Sequence, residues 1–154
     1  MPGKARSLKL TSKALKLLNH IDNNSNLPSQ PQTGIPLAGK VAAGIPIEAV
    51  EDTENLSLPS CFGNLDNIFA LEVTGDSMIE EDIRNGDYAI CRKTQTAHNG
   101  QLVVAIVDGN NATLKRFYRE KSRARLEPAN DNYQPIYSDN CRIEAVVIGL
   151  VRKF

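Results

Sequence analysis

Tryptophan is missing from this sequence, histidine occurs twice and cysteine three times. Each scarcity excludes something. Cys61, Cys91 and Cys141 are odd in number and widely spaced, with no C-x-x-C pair, so a disulfide framework is not expected. His20 and His98 lie far apart at no ligand spacing, so no metal site and no cofactor is expected, and the thiols read as reduced and structural. Long apolar runs are missing as well. The longest, Leu102 to Val107, is six residues, against roughly 20 for a membrane helix. No charged-then-apolar segment opens the chain, so no secretory signal is expected. These absences point to a soluble, cytoplasmic chain without membrane contact.

What is present is ordinary globular material. The 154 residues are 41% hydrophobic and 23% charged, enough for one domain with a short appendage. Aromatics are few (four Phe, four Tyr), so the core is expected to be Val, Ile, Leu and Ala. Net charge is zero, but unevenly spread. Residues 1–34 carry Lys4, Arg6, Lys9, Lys13 and Lys16 against Asp22, and the rest of the chain is acidic on balance. A basic head fits either contact with nucleic acid or a solvated helix face.

Thr11 or Ser12 can cap a short helix in which Ala14, Leu17, Leu18 and Ile21 form one apolar face. Residues 22–36, polar and rich in proline, read as a flexible linker. From Leu37 onward the pattern is strands and turns. β-rich runs at Ile68–Val73, Tyr88–Arg92, Leu102–Val107, Ala112–Tyr118, Ala124–Leu126 and Ile143–Val151 are separated by Gly-Asp, Asn-Gly and Asp-Gly-Asn turn signals. A mostly β, antiparallel domain follows.

Three places could carry chemistry. Ser77, in Gly75-Asp76-Ser77-Met78, follows a predicted strand, where a hydroxyl and backbone N–H groups can be presented together as nucleophile and oxyanion hole. A turn serine fits the same four residues. A serine nucleophile needs a base, and neither histidine lies in a context that suggests one. Lys115 is the alternative: mid-strand, it shares a face with Thr113 and Phe117, which suits a dry pocket that lowers an amine's pKa from roughly 10.4 toward neutrality. A solvated cross-strand lysine fits that strand too. Lys93 and Lys121 lie in polar loop contexts and are poorer candidates. The third place is Gly39-Lys-Val-Ala-Ala-Gly-Ile-Pro46, small-residue backbone that a hydrolase could grip and cut, or a Gly-rich lead-in to a strand.

Together, in this order, these motifs resemble the LexA family of self-cleaving repressors of the bacterial SOS response. Ser77 comes 33 residues after Gly44, and Lys115, in Thr-Leu-Lys-Arg, 38 residues after Ser77. Asn85-Gly-Asp87, Asn99-Gly100, Leu126-Glu-Pro-Ala-Asn130 and Val147-Ile-Gly-Leu-Val-Arg152 match as well, so the likeness covers about residues 34–154. The resemblance implies that Ser77 is the nucleophile, Lys115 the general base and Ala43–Gly44 the scissile bond. It makes the N–H groups of Asp76 and Ser77 the oxyanion donors. It also implies a bent, highly twisted antiparallel sheet, a homodimer formed through the C-terminal part, and stimulation by RecA filaments on single-stranded DNA.

At the front the likeness is partial. Family repressors begin with a complete winged helix-turn-helix, whereas residues 2–11 resemble only its wing and last strand. Residues 1–21 thus read as a remnant of a DNA-binding domain, 22–36 as linker and 37–154 as a Ser/Lys autopeptidase and dimerisation domain. Operator DNA is expected as a partner only with a full helix-turn-helix upstream. Two alternatives share these residues. A UmuD-like polymerase accessory protein is activated by the same cleavage, and a dimerisation module would keep the fold with a silent Ser/Lys pair.

Overall fold

A computed structural model describes residues 34–37, 40, 43–44 and 55–154. The helix expected over 14–21, the remnant expected over 1–21 and most of the expected linker lie outside the described residues. The described chain falls into two units, divided between Asp66 and Asn67.

The first unit contains a two-residue ladder and one helical turn. β1 (Ile35–Pro36) pairs antiparallel with β2 (Asn55–Leu56). Ile35 and Pro36, read from sequence as the end of the linker, are therefore strand. Gly34 permits the approach: a Cβ there would lie 3.0 Å from the Leu56 carbonyl oxygen. α1 (Leu58–Phe62) starts at a reciprocal cap, in which the Ser57 hydroxyl accepts from the Ser60 N–H and the Ser60 hydroxyl accepts from the Ser57 N–H. Pro59 in its first turn forfeits no helical hydrogen bond.

The second unit is one antiparallel sheet built from β3 (Ile68–Glu72), β4 (Tyr88–Lys93), β5 (Leu102–Val107), β6 (Asn111–Glu120), β7 (Arg123–Glu127), β8 (Ile136–Ser138) and β9 (Arg142–Val151). The spatial order is β3-β4-β9-β5-β6-β7-β8, so the C-terminal strand sits between β4 and β5. The register of β9 skips one residue against β4, at Ile148, and one against β5, at Glu144. Such bulges bend a strand and increase its twist. Both faces of β5 are covered. On β5, Val104 and Ile106 join a cluster with Leu71, Met78, Ile83 and Leu114, while Val103, Ala105 and Val107 join another with Phe117, Leu126 and Ile143. A strand buried on both faces must be apolar at every position, which explains the unbroken run in the sequence.

The thiols divide. Cys91 is buried in the core, Cys141 is half-buried and Cys61 is exposed, and all three are free. The structural role expected from sequence fits the buried Cys91 and does not fit the exposed Cys61. No helix of the described residues is long and apolar enough to cross a membrane.

Asp87 is 2% exposed and charged. Arg152, just past β9, holds both its carboxylate oxygens at 2.7 Å and also donates to the Asp82 carbonyl. The guanidinium, with the Arg84 N–H, keeps the Asp87 carboxyl down at about 2, from 3.8. A depressed acid stabilises the fold above its unfolded pKa, and that contribution disappears as pH falls toward 2; here it is about 2 kcal/mol. Arg152→Gln is expected to cost about 3 kcal/mol at pH 7, because it strands a buried carboxylate. In urea unfolding the gap to the unsubstituted protein should narrow as pH drops from 4 to 2. A gap independent of pH would contradict this.

Candidate active site

Ser77 sits on the connection from β3 to β4, and three local features shape that connection. Gly75 has φ of +94°, a conformation that side chains resist, and its N–H donates to the Asn85 side chain at 2.9 Å. Met78, 2% exposed, plugs the loop into the core beside Ile83. A single 3-10 turn, Ile79–Glu81, follows and ends at Asp82 in the left-handed conformation. The base of the connection is closed by Val73 N–H to the Asp87 carbonyl at 2.7 Å and Gly86 N–H to the Val73 carbonyl at 2.8 Å.

Lys115 projects from β6. It is 0% exposed, and its strand-face neighbours Thr113 and Phe117 are 1% and 2% exposed, so the dry environment expected from the period-two pattern is present. Its Nζ donates to Ser77 Oγ at 2.8 Å, to Thr113 Oγ1 at 2.9 Å and to the Leu114 carbonyl at 3.0 Å. The sequence-predicted nucleophile and base are thus in direct contact. A narrow cleft lined by Val73, Thr74, Gly75, Met78 and Leu114 opens onto the pair.

An ammonium with three N–H groups on three oxygens is satisfied, but none of those oxygens carries a charge. Burial therefore lowers the Lys115 amine from 10.5 to about 8. The partners also dictate where the lone pair goes once the proton is lost. A carbonyl can only accept, so the Leu114 oxygen keeps its N–H. A hydroxyl can turn and donate. The lone pair of the neutral amine can point only at Ser77 or Thr113, which is the arrangement in which an amine takes a serine proton.

Further contacts hold the serine loop in place. The Arg116 guanidinium forms a two-pronged pair with Glu81, through Nε at 2.7 Å and through Nη2, and its Nη1 donates to the Gly100 carbonyl. This ties the 3-10 turn to the strand that carries Lys115. On another side, the Ala129 N–H donates to the Ser77 carbonyl at 2.7 Å and the Ala129 carbonyl accepts from Glu80 N–H at 2.8 Å. Among the described residues, the N–H groups of Asp76 and Ser77 have no acceptor. His98 lies exposed on the loop before β5, and no hydrogen bond links it, Lys93 or Lys121 to Ser77 among the described residues. Ala43 and Gly44 are exposed in a bend of the first unit, and a Cβ on Gly44 would meet nothing within 4 Å.

Sequence reasoning placed Thr113 beside Lys115 but missed its role as a hydrogen-bond partner. It missed Glu81–Arg116 and the Ala129–Asn130 segment, although Leu126-Glu-Pro-Ala-Asn130 stood out as a motif.

Comparison with known proteins identifies the family of this domain. The family model described as Peptidase S24-like matches residues 36–148. The chain is 46% identical over 132 residues to a LexA repressor of Shouchella clausii, covering 85% of this chain and 64% of that protein. It is 41% identical over 155 residues to a LexA repressor of Novosphingobium aromaticivorans, with 99% and 66% covered. It is 44% identical over 152 residues to one of Limosilactobacillus reuteri, with 98% and 69% covered. The chain thus spans about two thirds of the length of these relatives. By the extent of the match and its antiparallel sheet, the chain belongs to the Peptidase S24-like family and carries a domain of the LexA C-terminal type.

Proposed function

We propose that this chain is a LexA-like repressor of the SOS response that inactivates itself by cutting its own Ala43–Gly44 bond, with Ser77 as nucleophile and Lys115 as general base. The observation that supports this most is the 2.8 Å contact between Ser77 Oγ and a fully buried amine whose other partners are all neutral.

In the proposed reaction the neutral amine takes the Ser77 hydroxyl proton as Oγ adds to the Ala43 carbonyl carbon. The charge that develops on the carbonyl oxygen is met by the N–H groups of Asp76 and Ser77. The C–N bond to Gly44 breaks as the Lys115 ammonium returns its proton to the Gly44 nitrogen, leaving an ester between Ala43 and Ser77. Water then gives a proton to the amine, its oxygen cleaves the ester, and the proton returns to Ser77 Oγ. A bond in the same chain as its catalyst reaches an effective concentration on the order of 10⁵ M or more when aligned, so a modest catalyst suffices for one turnover.

The same reading makes the partner a RecA filament on single-stranded DNA, acting in the cytoplasm by favouring the conformer in which the bond meets Ser77, with about 1.4 kcal/mol giving each tenfold in rate. It makes the protein a homodimer, with operator DNA as a partner only where a full winged helix-turn-helix lies upstream of these residues.

Covalent labelling tests the site. A fluorophosphonate probe, followed by peptide mass spectrometry at pH 9, is expected to modify Ser77 and to lose that product by more than a hundredfold in Lys115→Ala. Absence of label on folded protein, or label that persists without Lys115, would contradict the assignment.

A further inference from the structure

Asn130 stands behind the serine loop, on the connection after β7, and is 8% exposed. Its side chain is used at both ends. Nδ2 donates to the Asp76 carbonyl at 2.9 Å, and Oδ1 accepts from the Asn132 N–H at 2.9 Å. Beside it, the Tyr133 hydroxyl donates to the Asp76 carboxylate at 2.5 Å. With the bond from Ala129 N–H to the Ser77 carbonyl, residues 129–133 grip consecutive peptide units of the serine loop from one side.

The direction of that grip has a chemical consequence. A trans peptide is planar, and its C=O and N–H point opposite ways. The Asp76 carbonyl and the Ser77 N–H share one plane, so a donor that pins the carbonyl on one side aims the N–H to the other. The Asp76 carbonyl has a second donor, Ile79 N–H at 3.2 Å, but that group belongs to the same loop and turns with it. Asn130 comes from 54 residues away, on a separate connection of the sheet. Among the described residues, it alone ties the plane to something outside the loop.

Resting on the reading of Ser77 as nucleophile, we infer that Asn130 is a positioning residue for the cleavage. It orients the Asp76–Ser77 peptide so that the Ser77 N–H faces the oxygen on which negative charge develops. Removing one oxyanion donor outright costs about 10²–10³ in rate. Freeing its plane to rotate is expected to cost tenfold or more.

Asn130→Asp isolates the donor, because the carboxylate keeps the size of the amide and still accepts from Asn132 but cannot donate to Asp76. Asn130→Ala removes the donor without adding charge. Self-cleavage of the full chain is followed by intact mass from pH 7 to 10.5, with thermal unfolding alongside. In both variants the limiting rate at high pH should fall at least tenfold while the midpoint of the pH profile and cooperative unfolding are kept. A limiting rate within twofold of the unsubstituted chain overturns the inference. So does a loss of rate that comes with a shifted midpoint or with loss of the folded state in both variants, since Asn130 would then serve Lys115 or the fold. If the unsubstituted chain itself stays uncut and its Ser77 takes no probe, the reading of the site fails, and the role of Asn130 with it. If that chain cuts normally and Asn130→Asp cuts equally fast, only the role of Asn130 fails.

Discussion

Self-cleavage should rise about tenfold per pH unit below pH 8 and then level off, and Ser77→Ala should abolish it at every pH. The sign follows from the species required. Only the neutral amine can take the hydroxyl proton, and with the Lys115 pKa at about 8 it is a small minority at pH 6 and the main form at pH 9. The rate between those two values should grow roughly ninety-fold. The serine effect is larger. Loss of a nucleophile in comparable hydrolases costs on the order of 10⁴ or more. The fold should tolerate the change, since the serine side chain is only half-buried, its partner is Lys115, and Thr113 and Leu114 still hold the amine.

Lys115→Met should abolish cleavage and also alter how stability depends on pH. The folded amine titrates at about 8 and the unfolded one at 10.5. Below pH 8 both states carry the proton, and the fold bears the full penalty of a buried charge. Between pH 8 and 10.5 the folded state has released a proton that the unfolded chain retains, so stability rises with pH. The change is about 3 kcal/mol. Other lysines and the tyrosines titrate in the same window, but they do so in both proteins. The free-energy difference between Lys115→Met and the unsubstituted chain should therefore move by about 3 kcal/mol across that window, to the disadvantage of the variant. Parallel stability curves would mean that Lys115 is not desolvated in solution.

Much of this was visible in the residues. Leu102–Val107 is a strand with the bounds expected from its apolar run, and the alternation through Thr113, Lys115 and Phe117 foretold one buried face. Strand ends moved by a residue or two, as with β6, which reaches from Asn111 to Glu120. β8 was not legible because three residues are too few to show a period; its pairing with β7 creates it. α1 was hidden because Pro and Ser read as loop, yet here they form a cap and a first turn. The bracing of the serine loop was hidden for a different reason. Asn130 with Asp76 and Arg152 with Asp87 are pairs more than 50 residues apart, and no local pattern announces a long-range hydrogen bond. The motifs that carried the family resemblance marked those residues without saying what they do.

The pairing of a serine nucleophile with a buried lysine base is tested most directly by intact-mass spectrometry of the purified chain. It would be held at pH 7 and at about pH 10 beside Ser77→Ala. Two pieces, 1–43 and 44–154, are expected to appear faster at the higher pH, with an intact Ser77→Ala chain in both buffers. An unsubstituted chain that stays whole at pH 10 and with RecA filaments, or a Ser77→Ala chain that breaks at the same bond, would contradict it.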